Sequence, residues 1–377
     1  MVTEELTEHL GELSGILFFL LGAMTIVELI DAYDGFDIIT TRITQTDRRK
    51  LLWIIAFITF FLSAILDNLT TTIVIISLIK KLIDDENDRL FFAGMVVVAA
   101  NAGGAWSPIG DVTTTMLWIG GQISASNIIL KLILPSLACI LIPLAILSFK
   151  LKGNINRPAE VVSTDAQVSK RHQTIIFSSG ILILIMVPVF KTVTHLPPYM
   201  GILLGLGILW IITEILRGDK DEEDKHIYSV VHALRKIDTP SILFFLGILI
   251  SIASLQSAGV LSQLSAWMTR VIANDTAVVL SIGLLSAIVD NVPLVAAAQG
   301  MYDLNQYPID HYFWEFLAYA TGTGGSALII GSAAGVAAMG LEKISFMWYF
   351  KRITFLALIG YFAGAAVYIL QHQLLGL

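Results

Sequence analysis

The sequence contains few charged residues and little cysteine. Only 14% of its 377 residues are charged, whereas about 25% is usual for a soluble globular domain. The net charge is −7, so there is no basic excess of the kind that binds nucleic acid. Hydrophobic residues, in contrast, make up 56% of the chain. This composition excludes a soluble enzyme, a disordered chain and a nucleic-acid-binding protein.

The single cysteine and the N-terminal segment add two further expectations. Cys139 lies in an apolar run and has no partner for an internal disulfide, so we expect a small packing residue. Residues 1–13 are acidic and polar, and they lack the basic start and apolar core of a cleavable signal peptide.

Long apolar runs dominate the rest of the sequence. A run of about 20 residues spans the hydrocarbon core of a bilayer as a helix. Only helices and closed barrels satisfy their backbone in lipid, and the short alternating strands of a barrel do not occur in this pattern. The sequence therefore predicts an all-α polytopic protein embedded in a lipid bilayer. The long runs cover residues 14–32, 90–121, 127–149, 173–191, 199–216, 241–257, 312–341 and 346–370.

Two polar pairs, Asp67-Asn68 and Asp290-Asn291, each separate two runs that are only about half as long as a span. Such a pair between two half-length helices is typical of a re-entrant hairpin that is buried in protein. The runs concerned are 51–66 with 69–83, and 277–289 with 292–301.

The chain also resembles itself at an offset of about 220 residues. Three blocks recur in the same order: 15–20 with 241–246, 63–68 with 286–291, and 101–111 with 322–332. The second copy has five full membrane crossings. A repeat with an odd number of crossings ends on the side of the membrane opposite to its start, so two adjacent copies have opposite orientations. Inverted repeats with broken helices form a transporter architecture.

The repeat predicts the domain organisation. We expect a first inverted repeat over 1–150, a cytoplasmic linker over 151–172 and a second inverted repeat over 173–377. The first copy has no counterpart for the runs at 173–191 and 199–216. About two N-terminal helices are therefore expected to be missing from it.

The distribution of basic residues predicts the orientation. If the chain starts outside, 20 of its 23 Lys and Arg residues lie inside, and only Lys131, Lys191 and Arg270 lie outside. The N-terminus is therefore expected outside. The first hairpin would open to the inside and the second to the outside.

Candidate ligands for a small cation lie at the hairpin tips and in the glycine-rich interruptions of runs 90–121 and 312–341. Buried carboxylates, Asn and Thr oxygens and unwound carbonyls together suit a hard cation. We expect Asp67 and Asp111 to carry protons and the cation, with Asp290 as their symmetry-related partner, because carboxylates within a membrane are costly and usually functional. Neutral oxygens are expected from Asn68, Thr71, Asn101, Ser107, Asn291 and Thr323.

Simpler explanations exist for several of these residues. Asp67 and Asp290 could serve only as helix N-caps, and the paired glycines could only permit close helix packing. Glu28 and Asp31 lie one turn apart in the first span and could line an ion path or lie at the membrane interface. Glu315, near a span end, is expected to be interfacial.

Three segments, 18–31, 66–72 and 100–122, resemble the NhaD-type sodium/proton antiporters of the ion transporter superfamily. The resemblance implies exchange of Na⁺ or Li⁺ for H⁺, driven by the proton gradient. It also implies a homodimer with a moving transport domain, and transported ions rather than cofactors. We expect the protein in a bacterial inner (plasma) membrane.

Two other functions are compatible with a polytopic membrane protein that has aspartates within its spans. A carboxylate or oxyanion transporter could use the same scaffold, but it would favour a basic or neutral site rather than three aspartates. An intramembrane aspartyl protease needs two aspartates that share a proton. The repeated Asp-Asn hairpin tips disfavour the protease, so no enzymatic activity is expected.

Overall fold

The computed structural model describes residues 2–40, 42–158, 168–217, 228–272 and 274–375. Within these ranges the chain is helical, and its β-pairing is limited to an isolated bridge between Asp47 and Asn154. Six of the described helices are long and apolar enough to cross a membrane. The prediction of an all-α polytopic membrane protein is confirmed.

The helices are numbered in chain order: α1 (Val2–Ala32), α2 (Asp37–Thr40), α3 (Arg48–Leu66), α4 (Asn68–Leu82), α5 (Glu86–Ala105), α6 (Val112–Ile119), α7 (Ala125–Lys150), α8 (Lys170–Thr194), α9 (Pro198–Arg217), α10 (Val230–Lys236), α11 (Thr239–Ser257), α12 (Val260–Val271), α13 (Asp275–Leu285), α14 (Asn291–Met301), α15 (Tyr312–Gly324), α16 (Ala333–Glu342), α17 (Phe346–Arg352) and α18 (Thr354–Leu375). A short 3₁₀ turn, Gly325–Ala327, follows α15.

The chain divides into two compact units, and the boundary between them falls within α11. Unit 1 contains α1, α2, α8, α9, α10 and the first part of α11. In this unit α8 packs along α9. The α1 helix meets α8 at Gly180, where a methyl group would lie 2.6 Å from the Ile30 side chain. The small residue therefore allows α1 and α8 to pack closely.

Unit 2 contains α3 to α7, the end of α11 and α12 to α18. Helix α7 packs along α18, α3 along α5, and α13 along α15. The interior consists of α5, which is buried from Phe92 to Ala105, and α15, which is buried from Phe313 to Gly324. Apolar residues fill both helices, and the polar side chains of the candidate site lie at and near their C-terminal ends.

The long runs at 90–121 and 312–341 are both interrupted. The first consists of α5 and α6, separated by Trp106 to Asp111. The second consists of α15 and α16, separated by the 3₁₀ turn and by a further turn in which the Gly331 N–H donates to the Leu328 carbonyl oxygen at 3.0 Å. Pro108 lacks a backbone N–H and restricts the residue before it, which favours an interruption at this point.

Two other features differ from the predicted spans. The run at 346–370 is divided at Ile353 into α17 and α18. Helix α12 was not predicted, because its polar residues, Gln263 among them, leave no long apolar run.

The first part of the predicted linker, residues 151–158, belongs to unit 2. Ile155 is buried, and its backbone N–H donates to the Thr46 carbonyl oxygen at 2.8 Å. The backbone N–H of Asp84 donates to the carbonyl oxygen of Asn156 at 2.9 Å. These bonds connect the start of the linker to the segment before α3 and to the loop after α4. Residues 159–167 of the linker lie outside the described residues.

Two ion pairs connect helix ends in unit 2. The Nε atom of Arg48 lies 2.7 Å from an oxygen of Asp88, and that of Arg89 lies 3.1 Å from an oxygen of Glu342. Glu342 is buried, so the second pair is shielded from solvent and salt. It connects the start of α5 to the end of α16.

Candidate functional site

The first hairpin tip is Asp67, which separates α3 from α4. Its backbone has φ 95° and ψ 160°, a region that is strained for a residue with a side chain. One carboxylate oxygen accepts the backbone N–H of Thr70 and the other accepts its hydroxyl, both at 2.8 Å. Asp67 is thus the N-cap of α4. A neutral residue could also cap the helix, so capping alone does not require the charge.

Asp111 begins the second half of the first interrupted helix and is only 2% exposed. Its Oδ1 accepts the backbone N–H of Thr113 at 3.3 Å, and its Oδ2 accepts the amide Nδ2 of Asn291 at 3.1 Å. Both donors are neutral. Because Asn291 is the first residue of α14, this bond joins the first interrupted helix to the second hairpin.

Asn101 makes the densest set of polar contacts in the site. Its Oδ1 accepts from Asn68 Nδ2 at 3.1 Å, and its own Nδ2 donates to the hydroxyls of Ser326 and Ser332, each at 2.9 Å. The side chain is fully buried. It therefore joins the first hairpin to the interruption between α15 and α16.

Each hairpin contacts its interrupted helix through an equivalent serine. Ser63 Oγ donates to the Ala100 carbonyl oxygen at 2.6 Å. Ser286 Oγ donates to the carbonyl oxygen of Gly283 at 2.7 Å, within its own hairpin, and to that of Thr321 at 3.3 Å. The contacts to Ala100 and Thr321 join residues at equivalent positions of the two repeated blocks.

Glycines at equivalent positions of the two repeated blocks allow each interrupted helix to approach the backbone of its hairpin closely. A Cβ atom added at Gly103 would overlap the carbonyl oxygen of Phe60, and one added at Gly324 would overlap that of Gly283. These are backbone atoms that cannot move without displacing the helix. Close packing therefore accounts for these two glycines.

Four of the residues expected to bind ions or protons are joined by hydrogen bonds as two pairs, Asn68 with Asn101 and Asp111 with Asn291. Asp67 directly precedes Asn68 at the hairpin tip. Together they supply carboxylate and amide oxygens, which suit a hard cation. The residues that the structure describes contain no group of three or more His, Cys, Asp or Glu side chains arranged to bind a metal ion.

Three more expected ligands have different surroundings. Ser107 Oγ donates to the Ala64 carbonyl oxygen at 2.5 Å, and Thr323 Oγ1 donates to the Tyr319 carbonyl oxygen at 2.6 Å within α15. Their hydroxyl hydrogens are used, but their oxygen lone pairs can still accept or bind a cation. Asp290 is half-buried, and its carboxylate does not cap α14.

The hydroxyl of Thr71 is buried and has no hydrogen-bond partner in the part of the chain that the structure describes, and the same holds for Thr113. An unsatisfied buried polar atom costs about 1–3 kcal/mol. Such an atom commonly indicates an ion or water that binds there. Thr71 was expected as a ligand from the sequence, and Thr113 was not.

Glu28 and Asp31 lie in unit 1, so they belong to a different unit from the contacts above. Glu28 Oε1 is 3.5 Å from the half-exposed Lys236 ammonium. Asp31 is exposed. Their role in an ion path stays a prediction.

Ser326 and Ser332, which accept hydrogen bonds from Asn101, lie in the glycine-rich interruption where the sequence predicts candidate ligands, but they were not among the individual residues expected to bind the ion. The repeat contained a signal for one of them, because Ser332 aligns with Asp111 in the third block. Each of these two residues caps the helix after its interruption: Asp111 accepts the backbone N–H of Thr113, and Ser332 accepts that of Gly335 at 3.2 Å.

Comparison with known proteins identifies the family. The family described as "Citrate transporter" (CitMHS) matches residues 8–316. "Sodium/proton antiporter 2" of Arabidopsis thaliana is 48% identical over 377 residues, covering 99% of this chain and 89% of that protein. "Na(+)/H(+) antiporter NhaD" of Alkalimonas amylolytica is 31% identical over 401 residues, covering 98% and 80% respectively. The chain belongs to the NhaD-type sodium/proton antiporter family.

A further relative, "Sodium/proton antiporter 1" of Arabidopsis thaliana, is 50% identical over 372 residues. The alignment covers 98% of this chain, which spans 64% of the length of that relative. These relatives are transporters by name, and no protease occurs among them. Membership of the NhaD-type family and the six apolar helices identify an integral membrane protein.

Proposed function

We propose that the protein exchanges Na⁺ or Li⁺ for H⁺ across a membrane by alternating access. One observation carries the proposal: Asp111 is a buried carboxylate whose hydrogen bonds come from the neutral donors of Thr113 and Asn291. The relatives are named as sodium/proton antiporters, which supports the same exchange.

The proposed coupling is competition for the carboxylate oxygens. A buried carboxylate without a cationic partner is costly, so it is stabilised either by a proton or by a bound cation. Both neutralise the same oxygens, so binding of one displaces the other. Asn291 suits both states, since its amide can donate its N–H to Asp111 or, turned over, offer its oxygen to a cation.

We further propose that 1–150 and 173–377 are inverted repeats, joined by a cytoplasmic linker over 151–172, and that each contains a re-entrant hairpin. The equivalent serine bonds and the equivalent glycine contacts support two copies of one arrangement. The orientation with the N-terminus outside rests on the distribution of basic residues. The bacterial plasma membrane, a homodimer and the lack of a cofactor are likewise proposals.

The orientation predicts opposite accessibility for the two hairpin mouths. Lys81, at the end of α4, should lie inside, and Asp303, just after α14, should lie outside; both side chains are exposed. Labelling Lys81→Cys and Asp303→Cys with an impermeant thiol reagent tests this from each side of the membrane. The native Cys139 is 2% exposed, so it should contribute little background. Labelling of both positions from the same side would contradict the inverted repeat.

The family description gives one reason to test carboxylate transport as well. An anion would favour basic groups or helix N-termini at the site. The side-chain groups that hydrogen-bond to Asp67 and Asp111 are instead the Thr70 hydroxyl and the Asn291 amide, which are both neutral. The aspartates at the two hairpin tips and at the interruption between α5 and α6 would repel the negative charges of citrate, so we favour a cation as the transported substrate.

Everted vesicles that contain the full chain test the function directly. A pH-sensitive dye is quenched by respiration, and Na⁺, Li⁺, K⁺, choline or citrate is then added. We expect Na⁺ or Li⁺ to dequench the dye, with choline chloride and vesicles of the Asp111→Asn variant giving only background. A response to citrate at constant Na⁺, with none to Na⁺ or Li⁺ alone, would contradict the proposal and favour the carboxylate transporter.

A further inference from the structure

Glu315 is a buried carboxylate that the exchange described above does not use. It lies near the start of α15 and is 2% exposed, so the surrounding protein encloses it, and its expected position at the membrane interface stays a prediction. Its Oε1 accepts the amide of Asn127, and its Oε2 accepts the hydroxyl of Tyr368 at 2.6 Å. Both donors are neutral, and no Lys, Arg or His among the described residues forms an ion pair with it.

The Tyr368 hydroxyl allows the carboxyl group of Glu315 to exist in two states. Its oxygen lies 2.6 Å from Glu315 Oε2 and 3.3 Å from the backbone carbonyl oxygen of Tyr312. A hydroxyl has one hydrogen, so it donates fully to one of these acceptors at a time.

When Glu315 is ionised, the Tyr368 hydroxyl donates to the carboxylate. When Glu315 is protonated, its own O–H donates to the tyrosine oxygen, and Tyr368 donates to the Tyr312 carbonyl. Neither state leaves a buried donor without an acceptor. The pocket therefore accommodates the same side chain with and without a proton, at little cost in hydrogen bonding.

The face of α15 that contains Glu315 continues towards Asp111. Gly322 follows Glu315 by two helical turns, about 10 Å along the axis and on nearly the same face. A Cβ atom added at Gly322 would lie 3.6 Å from Asp111 Oδ2. Ala318 lies between them on this face and has no side chain beyond Cβ. Small residues therefore separate the two carboxyl groups along α15.

Other titratable groups lie on the neighbouring helices, beyond the start of α15. Lys131 is one turn past Asn127 on α7. His372 is one turn past Tyr368 on α18, and its ring centroid lies 4.6 Å from that of Tyr312. Asp275 begins α13. Helices α6 and α14 and residues 92–105 of α5, which also pack on α15, contain no titratable side chain.

We propose that Glu315 is a proton-carrying residue of the exchange, on the path between Asp111 and the water at the end of unit 2 where α15 begins. Uptake of a proton forms the O–H bond at Glu315 Oε2 and turns the Tyr368 hydroxyl to the Tyr312 carbonyl. Release returns the proton to water and reverses the turn. This inference rests on the proposed sodium/proton exchange.

The variant Glu315→Gln separates proton carrying from a structural role. Glutamine retains both hydrogen bonds, because its oxygen can accept from Asn127 and its Nε2 can donate to Tyr368. It cannot exchange a proton. The full chain in proteoliposomes is assayed twice: by Na⁺/H⁺ exchange with a pH dye, and by ²²Na⁺/Na⁺ exchange at equal pH on both sides.

We expect Na⁺/H⁺ exchange by Glu315→Gln to fall by about tenfold or more, since positioned acid–base groups typically accelerate proton transfer by about 10²- to 10⁴-fold. The ²²Na⁺/Na⁺ exchange should stay within about twofold of wild type, because it requires cation binding without net proton transfer. Tyr368→Phe retains the ring but removes the hydroxyl, and it should show the same selective loss.

Glu214→Gln is the matched control, because Glu214 is an exposed glutamate on the apolar helix α9 of unit 1. It should change neither rate. An equal fall of both rates in Glu315→Gln, or no fall in either, would overturn the proposal. A wild-type chain that exchanges Na⁺ for Na⁺ but not for H⁺ would instead overturn the proposed function, and this inference with it.

Discussion

Replacement of Asp111 by asparagine is expected to abolish Na⁺/H⁺ exchange while the protein still inserts into the membrane. Asparagine retains the shape of the side chain and an oxygen that can accept from Asn291 Nδ2. It cannot hold a proton that Na⁺ displaces, and it carries no charge to bind the cation. We expect a loss of about 100-fold or more, as for a positioned acid–base group, measured as dequenching rate per amount of protein.

Asp67→Asn should have the same effect for the same reason. The amide can still accept the backbone N–H of Thr70, and the Thr70 hydroxyl can accept from its Nδ2, so α4 remains capped.

Asp310→Asn is the matched control for Asp67→Asn. Asp310 also has a positive φ, 61°, and its Oδ1 accepts a backbone N–H, that of Ser124 at 2.6 Å. It lies in a loop and should tolerate the change. Wild-type exchange rates in both Asp67→Asn and Asp111→Asn would contradict the assignment of these residues as proton carriers.

Replacement of Asn101 by alanine should cause a large loss of both stability and exchange. It removes the hydrogen bonds to Asn68, Ser326 and Ser332 and leaves three buried polar groups without these partners. Each unsatisfied buried group costs about 1–3 kcal/mol. The total is a large fraction of the free energy of unfolding of a typical native protein, which is about 5–15 kcal/mol. Thermal unfolding in detergent should show a clearly lower Tm, and exchange per inserted protein should fall to near background.

A double-mutant cycle with Ser332→Ala identifies the source of this loss. Residues in one hydrogen-bond network usually show coupling of about 0.5–3 kcal/mol. The control is Ser281→Ala, since Ser281 is exposed on α13 and its hydroxyl donates only within that helix, to Ala277 at 2.7 Å. Equal Tm values for Asn101→Ala and Ser281→Ala would contradict the structural role of Asn101.

The hairpin joints could be predicted from the sequence. Asp67 and Asp290 each interrupt an apolar run. Helix α3 ends at Leu66 and α4 begins at Asn68, whereas α13 already ends at Leu285 and α14 begins at Asn291. The interruption after Ala105 was also predictable, because Pro108 and the glycines around it disfavour a continuous helix. These features depend on residue types that are adjacent in the chain, so local patterns were sufficient.

Contacts between distant parts of the chain could not be predicted in the same way. The pocket of Glu315 is formed by Asn127 on α7 and Tyr368 on α18, which lie far apart in sequence. Hydropathy also fails to distinguish a helix face in lipid from one buried in protein, because both environments are apolar. A glutamate near the end of an apolar run therefore resembles an interfacial residue until its neighbours are known.

The repeat provided part of the missing long-range information. It placed Ser332 at the position of Asp111, and the structure shows that both residues cap the helix that follows an interruption. It did not predict that Asn101 would contact Ser332, because an alignment of two copies does not state how the copies pack together.

The central claim, that one buried carboxylate site holds either a proton or Na⁺, is tested most directly by measuring proton release when Na⁺ binds. Purified protein in weakly buffered detergent solution is titrated with NaCl and, as a control for ionic strength, with choline chloride, while a pH indicator reports free protons. Wild-type protein should release protons as Na⁺ binds, with both signals saturating together, and Asp111→Asn should release far fewer. Saturable Na⁺ binding by the wild-type protein without any proton release, across the pH range in which it transports, would contradict the account.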